Sequence, residues 1–338
     1  MMIKSAIQKL VLKQDLTKEE AMQAMDMVLD NGATYAQISA FLTSLRMKGE
    51  TIDEITGCAL TMKHKAAHIH PTVSGYIDLV GTGGDGINTF NISTTSAFVV
   101  AAAGVPVAKH GNRAISSRSG SVDLLEALGV NVMLEPEQVE QCVEAIGLGF
   151  MFAKTFHKSM KQAALVRSEL GIRTIFNILG PISNPSDAKT QVIGVFDKDL
   201  TNPLAHAMMN MGVERGFVMN CEGIDEFATV GPNRVSEIKD GLVMDYVLPP
   251  EHFGFERASV KDICGGTATE NAQITRDILG GAKGAKRDTV LLNAGASIYA
   301  GRKADTIAQG IEMAREAIDS GAALKKLEQV IEMSNSMA

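Results

Sequence analysis

Two glycine-rich polar segments between residues 78 and 129 hold the side chains of this chain best suited to chemistry. The first runs Asp78-Leu79-Val80-Gly81-Thr82-Gly83-Gly84-Asp85-Gly86 and continues to Asn91-Ile92-Ser93-Thr94-Thr95. The second runs Lys109-His110-Gly111-Asn112-Arg113, then Ser116-Ser117-Arg118-Ser119-Gly120-Ser121. Each follows a short apolar run and opens a helical pattern. Glycine lets backbone N–H groups approach an anion without a Cβ in the way, and a helix start offers free N–H groups with partial positive charge. Ser93, Thr94, Ser117 and Ser121 add short hydroxyl donors. Either segment alone equals an ordinary turn with a serine cap. Two in succession suit a ligand carrying more than one phosphate.

Three further motifs carry possible chemistry. Asp225-Glu226 follows Gly223 and an apolar run, and adjacent carboxylates at a strand end can anchor Mg²⁺, which takes one or two carboxylates plus phosphates and water. Taken alone, such a pair is also a solvated turn. Arg167 and His157 stand on or beside a helix-like segment; a guanidinium is the natural bidentate partner of a carboxylate. Arg167 could equally pair with Glu169, and His157 could be a surface histidine. Gly81 to Gly86 also satisfies the dinucleotide pattern G-x-G-x-x-G, which requires an acidic residue about 20 positions later. Gly104 to Val107 and Lys109 stand there instead, so a nicotinamide reading loses its ribose ligand.

Composition narrows the classes. The 338 residues carry a formal charge of −7, so the basic cluster Lys109, Arg113 and Arg118 is a local exception that fits a small polyanion better than a nucleic acid. Four widely spaced cysteines read as reduced thiols, and the seven histidines show no zinc spacing. No run approaches the roughly 18 apolar residues of a membrane span. The Met1-Met2-Ile3-Lys4 start lacks the apolar core of a secretory signal, and the expected location is the cytoplasm.

The elements that must position these groups are an α/β arrangement: a small N-terminal α-helical domain and a larger domain with a mainly parallel central sheet flanked by helices. Capping-box patterns at Thr17–Glu20, Thr34–Gln37 and Thr51–Glu54 start short helices in residues 1 to about 70. From Tyr76 onward, strand-like runs alternate with helical patterns. Expected strands are 77–80, 105–109, 130–134, 191–195, 216–220 and 234–239. Residues 160–179 interrupt the alternation and are expected to pack on the bundle. The expected division is therefore 1–72 joined by about 160–185, against 73–159 with 186–338. Ile307, Ile311, Ala314 and Ile318 stripe a last amphipathic helix.

Taken together, Gly81 to Asp85, Asn91 to Thr94, Lys109 to Arg113 with Ser116-Ser117 and Gly120, Val166-Arg167-Ser168-Glu169-Leu170-Gly171, Asn177 to Pro185 and Gly223 to Glu226 resemble the anthranilate phosphoribosyltransferases. That family of the tryptophan pathway shares a fold with pyrimidine nucleoside phosphorylases. The resemblance covers nearly the whole chain. It implies transfer of phosphoribose from phosphoribosyl pyrophosphate to the amino group of anthranilate, with Mg²⁺, two ions per subunit, and a homodimer through the helical domain. The resemblance assigns Gly81, Gly84, Asp85, Thr89, Asn91, Ile92, Ser93, Thr94, Lys109, His110, Gly111, Asn112, Arg113, Ala114, Ile115, Ser116, Ser117 and Ser121 to phosphoribosyl pyrophosphate. It gives Gly81, Asn112, His157 and Arg167 to anthranilate, and Ser93, Asp225 and Glu226 to the metal. Departures from the family pattern are Lys154, Phe156, Lys158, Leu165 and Asn220, four of them near His157 or Arg167. A pyrimidine nucleoside phosphorylase would be a longer chain, and a silent nucleic-acid-binding paralogue would fit neither the acidic balance nor Asp225-Glu226.

Overall fold

All three capping boxes form. The hydroxyls of Thr17, Thr34 and Thr51 accept from the backbone N–H groups of Glu20, Gln37 and Glu54, whose side chains accept in return from the cap residues. They start three of the four helices Ile3–Val11, Lys18–Leu29, Tyr35–Lys48 and Ile52–His64. The structure, a computed structural model, describes residues 3–114 and 118–337. Ile115, Ser116 and Ser117 of the second loop therefore lie outside the described residues.

A seven-stranded sheet follows, made of β1 (Ile77–Gly81), β2 (Val107–Gly111), β3 (Leu148–Phe152), β4 (Thr190–Gly194), β5 (Arg215–Cys221), β6 (Asn233–Lys239) and β7 (Leu242–Leu248) in the order β3-β2-β1-β4-β5-β6-β7. β3, β2, β1, β4 and β5 run parallel, while β6 and β7 add an antiparallel hairpin. Side chains alternate between two cores, as the two-residue period of a strand requires. Ile77, Leu79, Val192, Phe217, Met219 and Val235 enter one, with the helices Ile92–Ala102, Ala285–Ala300 and Ile307–Asp319. Ile193, Val218 and Ile238 enter the other, which is continuous with Met25, Phe41, Leu42 and Ile55 of the N-terminal helices. Ala163 and Val166 of helix Lys161–Leu170, and Phe176 and Leu179 of helix Phe176–Ile182, join this second core.

The sequence reading needs three corrections. Residues 130–134 are not a strand: Val130, Val132 and Leu134 are buried in alternation, but Asn131 bonds Ser334 of the C-terminal helix instead of a strand. The sheet position belongs to β3, whose Gly149 lies so close to helix Pro136–Ile146 that a Cβ would come within 2.8 Å of the Val139 carbonyl. Ile307–Asp319 is not the last helix, since Ala322–Ser336 follows it.

Candidate active site at the C-terminal strand ends

Every loop that carries a candidate residue leaves the C-terminal end of a parallel strand, where ligands of such sheets gather. The glycine turn follows β1, Asn112-Arg113 follows β2, His157 follows β3 and Asp225-Glu226 follows β5. Gly83 N–H donates to Asp225 Oδ2 at 2.6 Å, and Ser93 N–H, at the start of helix Ile92–Ala102, donates to Glu226 Oε1 at 3.0 Å. Lys109 Nζ donates to the Leu79 carbonyl and lies 3.4 Å from Ser93 Oγ. Gly81, Ser93, Lys109, Asp225 and Glu226 thus form one contiguous group.

The glycines of the first loop do two different things. Gly83, Gly84 and Gly86 have φ of +70°, +74° and +74°, the left-handed turn that glycine accepts most readily. Gly81 has no such angle; a Cβ there would stand 2.3 Å from Asp225 Oδ2. The same holds at β4, where a Cβ on Gly194 would meet the Asp225 carbonyl. The carboxylate loop is seated directly on the ends of β1 and β4.

Burial dominates the electrostatics. It pushes Asp225 up to about 7, with nearby Asp85 adding to the effect. It pushes Glu226 up to about 8, with Asp225 adding to the effect. It raises Asp78 to about 6 against the opposing field of Lys109, and it lowers Lys109 itself, only 1% exposed, against Asp78, Glu226 and Asp225. One ammonium does not balance this many buried carboxyls. Asp85 Oδ2 is buried without a partner. Such a donor set fits a hard divalent cation bound through oxygen.

The second loop is braced internally. Asn112 N–H donates to Ser121 Oγ, which donates to the Asn112 carbonyl, each at 3.1 Å. A Cβ on Gly111 would stand 2.2 Å from that hydroxyl. Ala114 N–H and Gly120 N–H both donate to Asp123 Oδ2. Arg113 is turned onto Asp123 and Glu126 at 3.0 and 2.6 Å. Asn91 joins the two loops: its Nδ2 donates to the Ser119 carbonyl, while its Oδ1 accepts from Asn271. Ile92 and Thr94 are buried in the helix start, and Thr89 bridges Cys264 through its backbone.

His110 and His157 form a second group, with ring centroids 5.0 Å apart and both side chains buried. His110 is held by a hydrogen bond to the Gly180 carbonyl, which leaves Nε2 without a partner; neither nitrogen of His157 has one. Burial lowers His157 to about 4, with His68 contributing in the same direction. Arg167 lies with its guanidinium 5.4 Å from the centre of the Phe176 ring, on the helix that carries Gly180. Among the described residues it forms no ion pair, so the expected alternative with Glu169 is not formed. It makes no direct contact with the carboxylate group either.

Residues 74–324 match the model of the glycosyl transferase family a/b domain, and residues 4–66 match that of its helical bundle domain. The chain is 55% identical over 336 residues to an anthranilate phosphoribosyltransferase of Acetivibrio thermocellus, covering 99% of this chain and 97% of that one. It is 50% identical to that of Alkaliphilus metalliredigens, covering 99% of each. The chain belongs to the anthranilate phosphoribosyltransferase family. The fold agrees: a crystal structure of the anthranilate phosphoribosyltransferase from Thermus thermophilus superimposes with a TM-score of 0.93 at 42% identity, over 98% of this chain and 99% of that one. The Saccharomyces cerevisiae member, in complex with PRPP and Mg, superimposes with a TM-score of 0.90 at 28% identity, over 99% of this chain and 98% of that one.

Within this family frame, two supporting residues, Arg173 and Asn293, escaped the sequence reading, and a third, Asn220, stood there without a role. Arg173 donates to the Gly84 carbonyl and stacks 4.1 Å above the Phe196 ring, so it holds the glycine turn from the side. Asn220 donates to the Val195 carbonyl at 2.6 Å and accepts from Gly223 N–H at 3.1 Å, which shapes the loop into Asp225. Asn293 grips Phe227 through both its N–H and its carbonyl. Only Asn220 had a sequence signal, as a departure from the family pattern. The other two act on backbone, which leaves no mark in spacing.

Proposed function

We propose that this chain transfers the 5-phosphoribosyl group from phosphoribosyl pyrophosphate to the amino group of anthranilate, giving N-(5-phosphoribosyl)anthranilate and pyrophosphate in tryptophan biosynthesis. The observation that carries this reading is the meeting of the glycine turn, Ser93, Lys109 and the buried Asp225-Glu226 pair at one edge of the sheet. Gly81, Asn112, His157 and Arg167 supply the acceptor side.

Asp225, Glu226 and Ser93 would hold Mg²⁺, which when bound neutralises charge that builds on the leaving pyrophosphate. The backbone N–H groups of the glycine turn and of the second loop, with Lys109, bind and orient the phosphates. Gly84, Asp85, Thr89, Asn91, Thr94 and Ser121 frame the same cradle. Arg167 takes the carboxylate of anthranilate, and Asn112 with Gly81 and His157 orients its ring. The neutral aromatic amine needs positioning more than activation.

Residues 1–72 with about 160–185 act as one small helical domain, and the remainder acts as the donor-binding domain. Two copies pair through the helical domain, whose Val11, Leu12 and Met47 are exposed at 66%, 63% and 80%. No helix among the described residues is long and apolar enough to cross a membrane, and the enzyme works in the cytoplasm. Mixing the protein with phosphoribosyl pyrophosphate, Mg²⁺ and anthranilate tests the reading: anthranilate fluorescence is lost in proportion to the pyrophosphate released. Phosphorolysis of thymidine with anthranilate untouched would overturn it.

A further inference from the structure

The amides of Asn271 and Asn91 form one directed line of hydrogen bonds between the two loops. Gly266 N–H donates to Asn271 Oδ1 at 2.8 Å, Asn271 Nδ2 donates to Asn91 Oδ1 at 2.9 Å, and Asn91 Nδ2 donates to the Ser119 carbonyl at 3.1 Å. A backbone N–H at one end and a backbone carbonyl at the other leave each amide a single orientation. Ser119 Oγ adds a second bond to Asn91 Oδ1 at 3.2 Å. Asn271 and Ser119 are both buried, so the line is shielded from water.

Asn271 is fastened to the chain just before Asn91. It stands on helix Ala268–Leu279, which starts with a capping box between Thr267 and Glu270. The segment leading into that helix lies along residues 88–90: Gly265 N–H donates to the Asn88 carbonyl at 2.9 Å, and Phe90 N–H donates to the Ile263 carbonyl at 3.2 Å. A Cβ on Gly265 would stand 2.5 Å from Asn271 Oδ1 and 2.6 Å from Phe90 Cα, so only glycine lets the two strings close. One turn further, the hydroxyls of Thr275 and Thr95 meet at 2.9 Å, and Thr95 Oγ1 donates to the Asn91 carbonyl.

Asn91 occupies the N-cap of helix Ile92–Ala102, yet its side chain makes no bond to that helix. An asparagine in this position ordinarily turns its oxygen onto the N–H of the second or third helical residue, here Ser93 or Thr94. The backbone has turned away with the side chain: ψ is 73° at Asn91 and 166° at Thr267, which caps its own helix. The N–H groups of a helix start are the ones that meet a phosphate, and an amide folded back over them competes with the ligand.

We propose that Asn271 is a positioning residue that draws the Asn91 amide off its own helix start and so keeps that start open for a phosphate of phosphoribosyl pyrophosphate. This rests on the substrate reading given above. Asn271 acts through Asn91: its Nδ2 occupies the oxygen that would otherwise cap the helix, and the orientation it imposes sends Asn91 Nδ2 to the second loop. Without that N–H, Asn91 Oδ1 is free to swing onto Ser93 or Thr94, and the phosphate has to displace it.

The test compares full-length wild type with Asn271→Asp and Asn271→Ala. Asn271→Asp keeps an oxygen for Gly266 N–H and loses only the N–H that reaches Asn91; Asn271→Ala loses both bonds but adds no charge. In both, the phosphoribosyl pyrophosphate KM rises about tenfold, the worth of one hydrogen bond, while the anthranilate KM and the kcat at saturating phosphoribosyl pyrophosphate stay the same. The rise in melting temperature on adding phosphoribosyl pyrophosphate with Mg²⁺ shrinks in both. A wild-type phosphoribosyl pyrophosphate KM in either variant overturns the inference, and so does a parallel rise in both KM values. Should Asn271→Asp fail to fold, Asn271→Ala decides by the same two criteria. Wild-type protein that shows neither turnover nor a melting shift with phosphoribosyl pyrophosphate overturns the substrate reading itself.

Discussion

Gly81→Ala isolates the seating of the carboxylate loop from every other property of the glycine turn. Gly81 is not in the left-handed region, so the alanine backbone fits without strain. The new methyl would stand 2.3 Å from Asp225 Oδ2 and 2.9 Å from the Asp225 carbonyl oxygen, where ordinary contact begins at 3.4 Å. The carboxylate must therefore retreat by about 1 Å, and a misplacement of that size costs on the order of 100-fold in rate. Its 2.6 Å bond from Gly83 N–H is lost in the process. The fluorescence assay should show kcat down about 100-fold, with more Mg²⁺ needed for half-maximal rate. Gly86→Ala is the control: its φ is +74° and its Cβ meets nothing within 4 Å. It should cost about 1–2 kcal/mol of stability through backbone strain and leave the Mg²⁺ dependence alone. Wild-type kcat and Mg²⁺ dependence in Gly81→Ala would refute the claim that Asp225 is positioned by the missing side chain, as would an equal loss in Gly86→Ala.

Three further outcomes are expected. Arg167→Ala should raise the anthranilate KM by roughly tenfold to a hundredfold, the worth of a charge-assisted bond, with kcat little changed; an unaltered KM removes the carboxylate role. Asp225→Asn with Glu226→Gln should abolish Mg²⁺-dependent turnover while the protein, relieved of a buried carboxyl pair whose ionisation burial opposes, melts no lower in the absence of metal; activity that persists at low Mg²⁺ counts against the site. His157 sets a pH dependence: lowered from 6.5 to about 4, it stays neutral in the folded chain while the unfolded chain takes up a proton. Its contribution is therefore complete above pH 6.5 and declines as pH falls toward 4, by about 3 kcal/mol in all. Urea unfolding of wild type and His157→Asn at pH 7 and pH 5 should show a steeper loss in the wild type, and parallel losses would exclude this assignment.

The parts legible in the sequence are those where local chemistry agrees with the tertiary outcome. Thr17, Thr34 and Thr51 each cap a helix because both halves of the box lie three residues apart. β1, β2, β4, β5 and β6 fall within one or two residues of their expected runs, since an apolar stretch ending in glycine or a polar loop admits few alternatives. Failures occur where a distant element decides. Val130, Val132 and Leu134 alternate like a strand, yet the C-terminal helix supplies their neighbours. Helix Ala285–Ala300 has no polar face to betray it, because it is buried on nearly every side. Edge strand β7 exposes Leu242, Met244 and Val247 and so carries no core signal. At the site, Asp225 and Glu226 could be singled out from chemistry, whereas Arg173 could not: its work is to hold the Gly84 carbonyl, and any arginine within reach would read the same.

The second hydrophobic core has a consequence for how the molecule can be taken apart. Ile193, Val218 and Ile238 point from the sheet into the same apolar interior as Met25, Phe41 and Ile55. Cutting the chain between the bundle and β1 would strip oil from both pieces at once, leaving a sheet greasy on one side and helices with nothing to wrap. The two family segments thus share one interior, and neither keeps its apolar surface covered without the other.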